Sequence, residues 1–182
     1  MRIVAGKAGS RTIEAPKGRD TRPTLDRVRE NLFNILQNRI HDAAVLDLFA
    51  GSGALSLEAV SRGAAFAVLC DRDAEANRVE RKNAHALGFE EQMRILRCDW
   101  KEALAYCGRE NLKFDLVFLD PPYAMEDLTE VTEAVLPLLE DDGQIIIEHK
   151  ASETPAFSAQ YRVRDRRRYG YCGLLFLERI QS

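Results

Sequence analysis

The sequence predicts an α/β domain built on a doubly wound, mostly parallel sheet. From residue 44 onward, short apolar runs alternate with segments of helical pattern. Strands that alternate with helices imply right-handed crossovers, which place the strands parallel and the helices on both faces of the sheet. The length of 182 residues, with 46% hydrophobic and 30% charged residues, suits one domain with a complete core.

Seven apolar runs are the predicted strands, and four helices are predicted between the first five of them. The strands span 44–49, 65–70, 93–98, 114–119, 144–148, 161–167 and 174–180, and the helices span 54–62, 74–87, 101–106 and 128–139. Only Tyr169 to Gly173 separates the last two strands. A hairpin at the sheet edge is therefore expected, and it makes the last strand antiparallel to its neighbour.

Residues 1–40 form a predicted N-terminal extension, too small to fold alone, and residues 41–182 form the main domain. Residues 2–4 and 11–14 are expected to pair as a small β-hairpin. A helix follows, because five apolar residues recur at helical spacing: Leu25, Val28, Leu32, Ile35 and Leu36. Thr24 is the predicted N-cap of this helix, and Asp26 falls in its first turn.

The net charge of -3 is unevenly distributed. Residues 1–39 hold nine basic against four acidic side chains, residues 40–160 hold eleven against twenty-three, and residues 161–182 hold six against two. An acidic body with basic ends would suit a polyanion gripped by two terminal patches. Alternatively, the arginines between 162 and 168 are a solvated edge strand whose charge discourages aggregation.

The sequence disfavours several classes of protein. No apolar run reaches the roughly 18 residues of a membrane span, and the N-terminus lacks the apolar region of a secretion signal. A soluble, cytoplasmic monomer is expected. The four cysteines contain no C-x-x-C pair, and His41, His85 and His149 share no metal-ligand spacing, so no metal site is predicted.

The first candidate site is the turn after the first strand, Asp47-Leu48-Phe49-Ala50-Gly51-Ser52-Gly53. In such sheets ligands bind beyond the carboxyl ends of the strands, and glycines let the backbone approach a ligand closely. Ser56 replaces the third glycine of a dinucleotide fingerprint, and the Gly-Lys-Ser/Thr of a phosphate loop is absent. With Asp47 able to meet a cationic amine and Asp71 able to accept from ribose hydroxyls, the spacing favours a nucleoside that carries an amino acid.

The second candidate site is Asp120-Pro121-Pro122-Tyr123, which follows the predicted strand 114–119. Two consecutive prolines fix φ and remove both backbone donors, leaving carbonyls that can only accept hydrogen bonds. An exocyclic amino group could donate to the Asp120 carboxylate and the Pro121 carbonyl, while the Tyr123 ring stacks on the base. The two sites together predict transfer of a group to an amine on a planar ring.

These motifs resemble those of the class I S-adenosylmethionine-dependent methyltransferases, which have a Rossmann-like fold. More narrowly, the chain resembles the RsmD family of bacterial 16S rRNA (guanine-N2)-methyltransferases. The similarity runs almost end to end and rests on residues 2–6, Arg22-Pro23-Thr24, Arg29-Glu30, residues 33–36, 45–53, Asp71-Arg72, 120–123 and 168–170. It implies S-adenosylmethionine as cofactor and, as substrate, a guanine in 16S rRNA within the assembling small subunit.

The resemblance also implies roles for single residues. Phe49, Ala50, Gly51 and Gly53 would wrap the methionine part of the cofactor, with Asp47 near its amino group. Asp71 with Arg72 would hold the ribose. Relatives often carry glutamate where this chain has Leu69, so ribose binding rests on Asp71, with Asp73 as a weaker candidate. Asp99 and Trp100 would flank the adenine. Residues of the two basic ends are the candidate RNA contacts: Arg22, Pro23, Thr24, Arg27, Arg29, Arg166, Arg167 and Arg168.

Three alternatives stay open on the sequence alone. The Asp-Pro-Pro-Tyr motif also serves adenine-N6 and cytosine-N4 methylation, in DNA or RNA, although 182 residues leave little room for the target-recognition domain of a DNA enzyme. The chain could be a catalytically silent RNA-binding assembly factor that keeps the fold. A dinucleotide-dependent oxidoreductase is opposed by Ser56 and by the lack of a proton-relay set.

Overall fold

The structure, a computed structural model, describes residues 1–18 and 23–181. Its centre is a seven-stranded sheet with the strand order β3-β2-β1-β4-β5-β7-β6. The strands are β1 (Ala44–Asp47), β2 (Phe66–Cys70), β3 (Met93–Leu96), β4 (Phe114–Leu119), β5 (Leu139–Lys150), β6 (Tyr161–Tyr169) and β7 (Cys172–Arg179). The first five strands pair in parallel, and β7 is antiparallel to both β5 and β6. The predicted fold class, including the antiparallel terminal hairpin, is confirmed.

Helices cover both faces of the sheet. They are α1 (Pro23–Ile35), α2 (Gln37–Ile40), α3 (Ala54–Ser61), α4 (Ala74–Leu87), α5 (Trp100–Arg109) and α6 (Thr129–Val135). Because successive side chains of a strand point to opposite faces, Val45 packs with α1 and α3, whereas Leu46 packs with α5 and α6. The apolar strands thus supply two cores, one on each side of the sheet.

The strand order reverses direction between β1 and β4, at the centre of the sheet. Such a switch point leaves a crevice outside the carboxyl ends of the strands. The Leu48 N–H, just past the end of β1, donates to the Phe118 carbonyl of β4 at 3.3 Å. The loops that follow these two strands therefore begin side by side at the same edge of the sheet.

One predicted helix is shorter than expected. The segment 128–139 forms α6 only as far as Val135, then a 3₁₀ turn over Leu136–Leu138, and Leu139 already belongs to β5. Pro137 lies in that turn and has no backbone donor with which to continue the helix. The helical spacing of the apolar residues does not reveal this stop.

The N-terminal extension departs from the prediction in two details. The predicted hairpin is reduced to an antiparallel bridge between Arg2 and Thr12. Helix α1 begins at Pro23, so Thr24 lies inside the first turn and is not the N-cap. A proline is well suited to the first helical position, because the N–H that it lacks has no intrahelical acceptor there.

Close backbone contacts attach the extension to α3. Gly6 has φ +84°, and a Cβ at that position would lie only 1.9 Å from the carbonyl oxygen of Ser61. The Lys7 N–H donates to this same carbonyl at 2.8 Å, and the Ser61 hydroxyl receives the Ala8 N–H at 2.9 Å. A glycine is therefore required at residue 6. Since α3 follows directly on the loop 47–53, the extension is fixed next to the first candidate site.

Among the described residues, no helix combines the length and the apolarity that crossing a membrane would require.

Candidate functional site

The loop after β1 is turned tightly against the end of β2. Gly51 and Gly53 have φ values of +59° and +76°, in the left-handed region that favours glycine. A Cβ on Gly53 would lie 3.2 Å from a methyl carbon of Leu69. The Ala50 N–H donates to the Cys70 carbonyl at 3.0 Å, and the Gly51 N–H donates to Asp71 Oδ2 at 3.0 Å. The loop is thus held in place by the next strand.

Asp47, at the end of β1, is a buried carboxylate with an incomplete set of partners. Its Oδ2 accepts from the Ser56 hydroxyl at 3.1 Å, while Oδ1 is buried and has no hydrogen-bond partner among the described residues. Burial and the charge of the nearby Asp71 carboxylate together raise the pKa of Asp47 to about 7. An ammonium group would supply both the missing donors and a compensating charge, so the site fits the amino-acid end of the predicted cofactor.

Helix α4 contributes a buried polar row that the sequence analysis did not single out. Asn77, Glu80 and Asn83 are all at least 94% buried and lie three residues apart, on the inward face of the helix. Glu80 lies beneath the loop, 3.5 Å from the position of a Cβ on Gly53, and its Oε1 has no described partner. Burial and the charge of Asp47 raise the pKa of Glu80 to about 8. The sequence did contain a signal for this row, because these polar residues occupy helix positions at which the periodicity predicts apolar ones.

Asn83 connects three parts of the molecule. Its amide nitrogen donates to the Ser52 carbonyl of the loop at 3.1 Å and to the Glu14 carbonyl at 2.9 Å. Its amide oxygen accepts from the Glu14 N–H at 2.8 Å. The amide therefore ties α4 to both the loop and the extension.

The predicted ribose and adenine residues follow β2 and β3 along the same edge. Asp71 is partly buried, and its carboxylate accepts from the Gly51 and Asp73 backbone N–H groups. Leu69, where relatives often carry glutamate, is fully buried in β2. Arg72 is exposed. Asp99 is the N-cap of α5, in a capping box with Glu102, and the partly exposed Trp100 is the first residue of that helix.

The Asp120-Pro121-Pro122-Tyr123 loop is far more open. Asp120 is exposed at the end of β4, and 74% of the Tyr123 side-chain surface is accessible. The Tyr123 ring lies 5.0 Å from the ammonium nitrogen of Lys150, and the Pro122 carbonyl accepts the Met125 N–H at 2.9 Å. An accessible aromatic ring beside a carboxylate is suited to receiving a flat base.

Two cavities lie on either side of this loop. The first is lined by Phe49 to Ser52 of the β1 loop, by Asp120, and by Leu25 and Val28 of α1. The second is lined by Pro121, Pro122 and Tyr123. Glu148, at the carboxyl end of β5, lines both cavities. The structure thus brings the predicted cofactor loop and Asp120 to one cavity, walled in part by the extension.

The predicted RNA contacts at the N-terminal end are not all available. Arg22 lies outside the described residues, as do the side chains of Pro23 and Thr24, which begin α1. Arg27 is exposed on α1. Arg29 is only 4% exposed and makes ion pairs with Asp26 at 3.0 Å and Glu58 at 3.6 Å. It also lines the first cavity, so its contact with RNA stays a prediction.

Glu58, on α3, is the fully buried centre of this ion-pair network. Its carboxylate accepts from the backbone N–H groups of Val4 at 2.9 Å and Ala5 at 3.1 Å, and it pairs with Arg62 at 2.8 Å. The pairing with Arg29 therefore stabilises the extension against the domain and fixes that arginine at the wall of the first cavity.

The predicted contacts at the C-terminal end lie on the edge strand β6. Arg166, Arg167 and Arg168 are all exposed. Arg167 pairs with Asp165 at 2.8 Å, whereas the described residues offer no ion-pair partner to Arg166 or Arg168. Because β6 and β5 are both antiparallel to β7, β6 ends at the same edge as the two candidate loops. Two cations without an acidic partner are thus placed on a strand that leads to the site.

Comparisons with known proteins agree with this architecture. A model of the family described as conserved hypothetical protein 95 matches residues 1–178. The Bacillus subtilis protein named "Putative rRNA methyltransferase YlbH" is 33% identical over 177 residues, which cover 96% of each chain. Ribosomal RNA small subunit methyltransferase D of Escherichia coli is 39% identical over 143 residues, covering 79% of this chain and 68% of the relative.

A solved structure shows the same fold over the whole chain. The "Putative methyltransferase yhhF from Escherichia coli" matches with a TM-score of 0.84 and 32% identity, covering 100% of this chain and 99% of that one. The resemblance predicted from the motifs is confirmed by these relatives. The chain belongs to the family described as conserved hypothetical protein 95, the RsmD family, whose curated relatives are named as rRNA methyltransferases.

Proposed function

We propose that the chain transfers a methyl group from S-adenosylmethionine to the exocyclic N2 amine of a guanine in 16S rRNA. One observation carries the proposal: the β1 loop and Asp120, from two distant parts of the sequence, line a single cavity at the switch point of the sheet. The curated relatives named as small-subunit rRNA methyltransferases support the choice of RNA as substrate.

The cofactor would lie along the edge of the sheet in the order of the strands. Asp47 would bind its ammonium group, the backbone of Phe49 to Gly53 its methionine chain, Asp71 with Arg72 its ribose, and Asp99 with Trp100 its adenine. The parallel register of β1, β2 and β3 supports this order, since the carboxyl ends of the three strands follow one another along one edge of the sheet. When bound, S-adenosylmethionine supplies an electrophilic methyl group on a positively charged sulfur.

The Asp-Pro-Pro-Tyr loop would hold the guanine. The N2 amine is a weak nucleophile, because its lone pair is delocalised into the ring, so its position has to be fixed before reaction. The Asp120 carboxylate and the Pro121 carbonyl accept from the two amine hydrogens, and Tyr123 stacks on the base. As the N–C bond forms and the methyl–sulfur bond breaks, with its electron pair left on the sulfur, positive charge grows on the amine. Asp120 would stabilise this charge and accept the proton that leaves.

The N-terminal extension, residues 1–40, would complete the substrate side of the site. Leu25 and Val28 of α1 wall the shared cavity, opposite the β1 loop. Arg27, together with Arg166 to Arg168, would contact phosphates on either side of a nucleotide that is turned out of its strand into the cavity. We further propose that the protein acts as a cytoplasmic monomer on a small-subunit assembly particle.

Nucleoside mass spectrometry of 16S rRNA tests the proposal in cells. RNA from cells that lack the gene should have lost one N2-methylguanosine, and the intact gene should restore it while the Asp120→Ala gene should not. Unchanged N2-methylguanosine together with the loss of a methylated adenine or cytosine would assign the site to a different base, and an unchanged set of modifications would refute methyl transfer to 16S rRNA.

A further inference from the structure

We propose that Glu148 selects guanine over adenine and cytosine by accepting a hydrogen bond from the N1–H of the target base. This inference deepens the proposed function and rests on it. Neither the sequence motifs nor the family resemblance assigns a role to Glu148. In the sequence it is only an acidic residue at the end of an apolar strand.

The sheet register places Glu148 beside Asp120. Strands β4 and β5 are parallel, with Leu119 opposite Ile147. Asp120 and Glu148 are the next residues along the two strands, and residues in register on neighbouring parallel strands present their side chains to the same face. Both line the first cavity, and Glu148 continues into the second cavity beside Tyr123. A base stacked on Tyr123 would therefore present its edge to two carboxyl groups.

Glu148 is partly buried, and few described groups bond to its carboxylate. Its one described hydrogen bond is from the Cys172 thiol, at 3.5 Å to Oε1, and a thiol is a weak donor. Burial raises the pKa of Glu148, which shows that the surrounding protein solvates the charged form poorly. A carboxylate kept in such surroundings at the wall of a cavity is suited to accepting from an N–H of a ligand.

The chemistry of the bases makes a second acceptor selective. Guanine presents donors at both N1 and N2 on its pairing edge, so it satisfies two neighbouring carboxyl acceptors. Adenine and cytosine have an unprotonated ring nitrogen next to the amine, and that lone pair would face the Glu148 carboxylate without a hydrogen between them. A site with only the Asp-Pro-Pro-Tyr acceptors has no such means of rejecting them.

The test uses small subunits reconstituted with 16S rRNA in which the methylated guanine is replaced by 2-aminopurine. This base keeps the N2 amine but carries a lone pair at N1. Single-turnover rates with the wild-type protein should be about a hundredfold lower for 2-aminopurine than for guanine, because the Glu148 acceptor is then left without a donor. Glu148→Gln, whose amide can donate to N1, should reduce that ratio to about tenfold or less.

The matched control is Glu140→Gln, which changes an exposed glutamate at the opposite end of the same strand and should keep the wild-type ratio. Equal wild-type rates for guanine and 2-aminopurine would overturn the role of Glu148 whether or not the variant folds. A Glu148→Gln protein that binds cofactor normally but keeps the full hundredfold ratio would also overturn it. By contrast, no transfer to any guanine by the wild-type protein would refute the proposed function itself.

Discussion

The two loops that meet at the switch point differ in how firmly the protein holds them. The loop after β1 follows a buried strand and is held from three sides. The Ala50 N–H donates to the end of β2, Asp47 accepts from Ser56 of α3, and the Ser52 carbonyl accepts from Asn83 of α4. In the loop after β4, Asp120 is exposed, and 74% of the Tyr123 surface is accessible. Both loops follow neighbouring parallel strands, so the difference does not come from the sheet.

This difference matches the sizes of the two proposed ligands. A small cofactor of constant shape suits a preformed, closed loop whose buried carboxylate lacks only the partner that the ligand brings. A nucleotide of a large ribonucleoprotein has to enter from outside, which requires an open loop with an accessible aromatic ring. The following predictions test whether the closed loop affects binding and the open loop affects turnover.

The largest expected effect is on the open loop. Asp120→Ala should reduce the single-turnover rate by about a hundred- to a thousandfold, which is the usual effect of removing one group that stabilises charge in the transition state. The cofactor affinity, measured by calorimetry, should stay within about threefold of wild type, because Asp120 lies outside the loop that holds the ligand.

Glu126→Ala is the control for this change, since Glu126 is an exposed acidic residue in the same connection and lines only the second cavity. It should keep nearly the full rate. An Asp120→Ala protein with near wild-type turnover would remove Asp120 from the mechanism.

The second effect concerns the support of the closed loop by the extension. Glu58→Gln removes the buried charge that pairs with both Arg29 and Arg62, although Asp26 still pairs with Arg29. It should destabilise the protein by about 3 kcal/mol, as broken buried ion pairs do. In thermal unfolding this corresponds to a fall of roughly 6–12 °C in the melting temperature. Glu133→Gln, an exposed change on α6, should be neutral. If the two variants melted at the same temperature, the extension would not be clamped through Glu58.

The third effect is a pH dependence of the closed loop. Because the pKa of Asp47 is about 7 in the folded protein, cofactor binding requires the release of a proton below that pH. Cofactor affinity should therefore fall by up to about tenfold per pH unit below pH 7. Asp47→Asn should bind at least about tenfold more weakly than wild type at pH 8 and should lose this pH dependence.

The pH dependence of stability should have the opposite sign to the pH dependence of cofactor affinity. Unfolded Asp47 releases its proton near its ordinary value of 3.8, whereas the folded protein keeps the proton up to about 7. The ligand-free protein should therefore lose stability as the pH rises between these values, by on the order of 4 kcal/mol. Asp47→Asn should show a smaller loss, measured by melting temperature at pH 5 and pH 8. An equal loss in both proteins would show that Asp47 is ionised throughout.

The smallest effect is expected outside both loops. Affinity for 16S rRNA should fall with salt, and replacing Arg166 and Arg168 by glutamine should make this dependence less steep. The slope of log affinity against log salt should become about 1 to 2 less negative, since each phosphate contact contributes about 0.7–0.9. Replacing Arg94 and Arg109 by glutamine is the control, since both are exposed, on β3 and α5, and it should leave the slope unchanged. If replacing Arg166 and Arg168 left the slope unaltered, β6 would be a solvated edge strand, which is the alternative that the sequence left open.

The sequence predicted the fold and the facing loops because both follow from local patterns. Apolar runs such as Phe114–Leu119 gave a strand with its observed limits, and strand–helix alternation determined which ends share an edge. The stop at Pro137 was missed because the apolar periodicity continues through it. The start of α1 was placed too late because Thr24 is a typical N-cap residue, whereas the helix begins at Pro23.

Other site residues were missed because their roles depend on distant partners. Arg29 reads as a surface cation, and only the folded chain brings Glu58 to it from 29 residues away. Glu80 and Asn83 are polar residues at positions of α4 where the periodicity predicts apolar ones, but this signal does not identify the β1 loop as their partner. Glu148 acquires its significance from the register between β4 and β5, which no local pattern encodes.

A crystal structure with bound S-adenosylhomocysteine tests the division between the two loops most directly. We expect the amino group of the ligand on Asp47, its ribose on Asp71, its adenine beside Asp99 and Trp100, and its sulfur facing Asp120 across the shared cavity. A ligand bound elsewhere, or with its sulfur turned away from the Asp-Pro-Pro-Tyr loop, would contradict the proposal that the closed loop presents a methyl group to a base held by the open one.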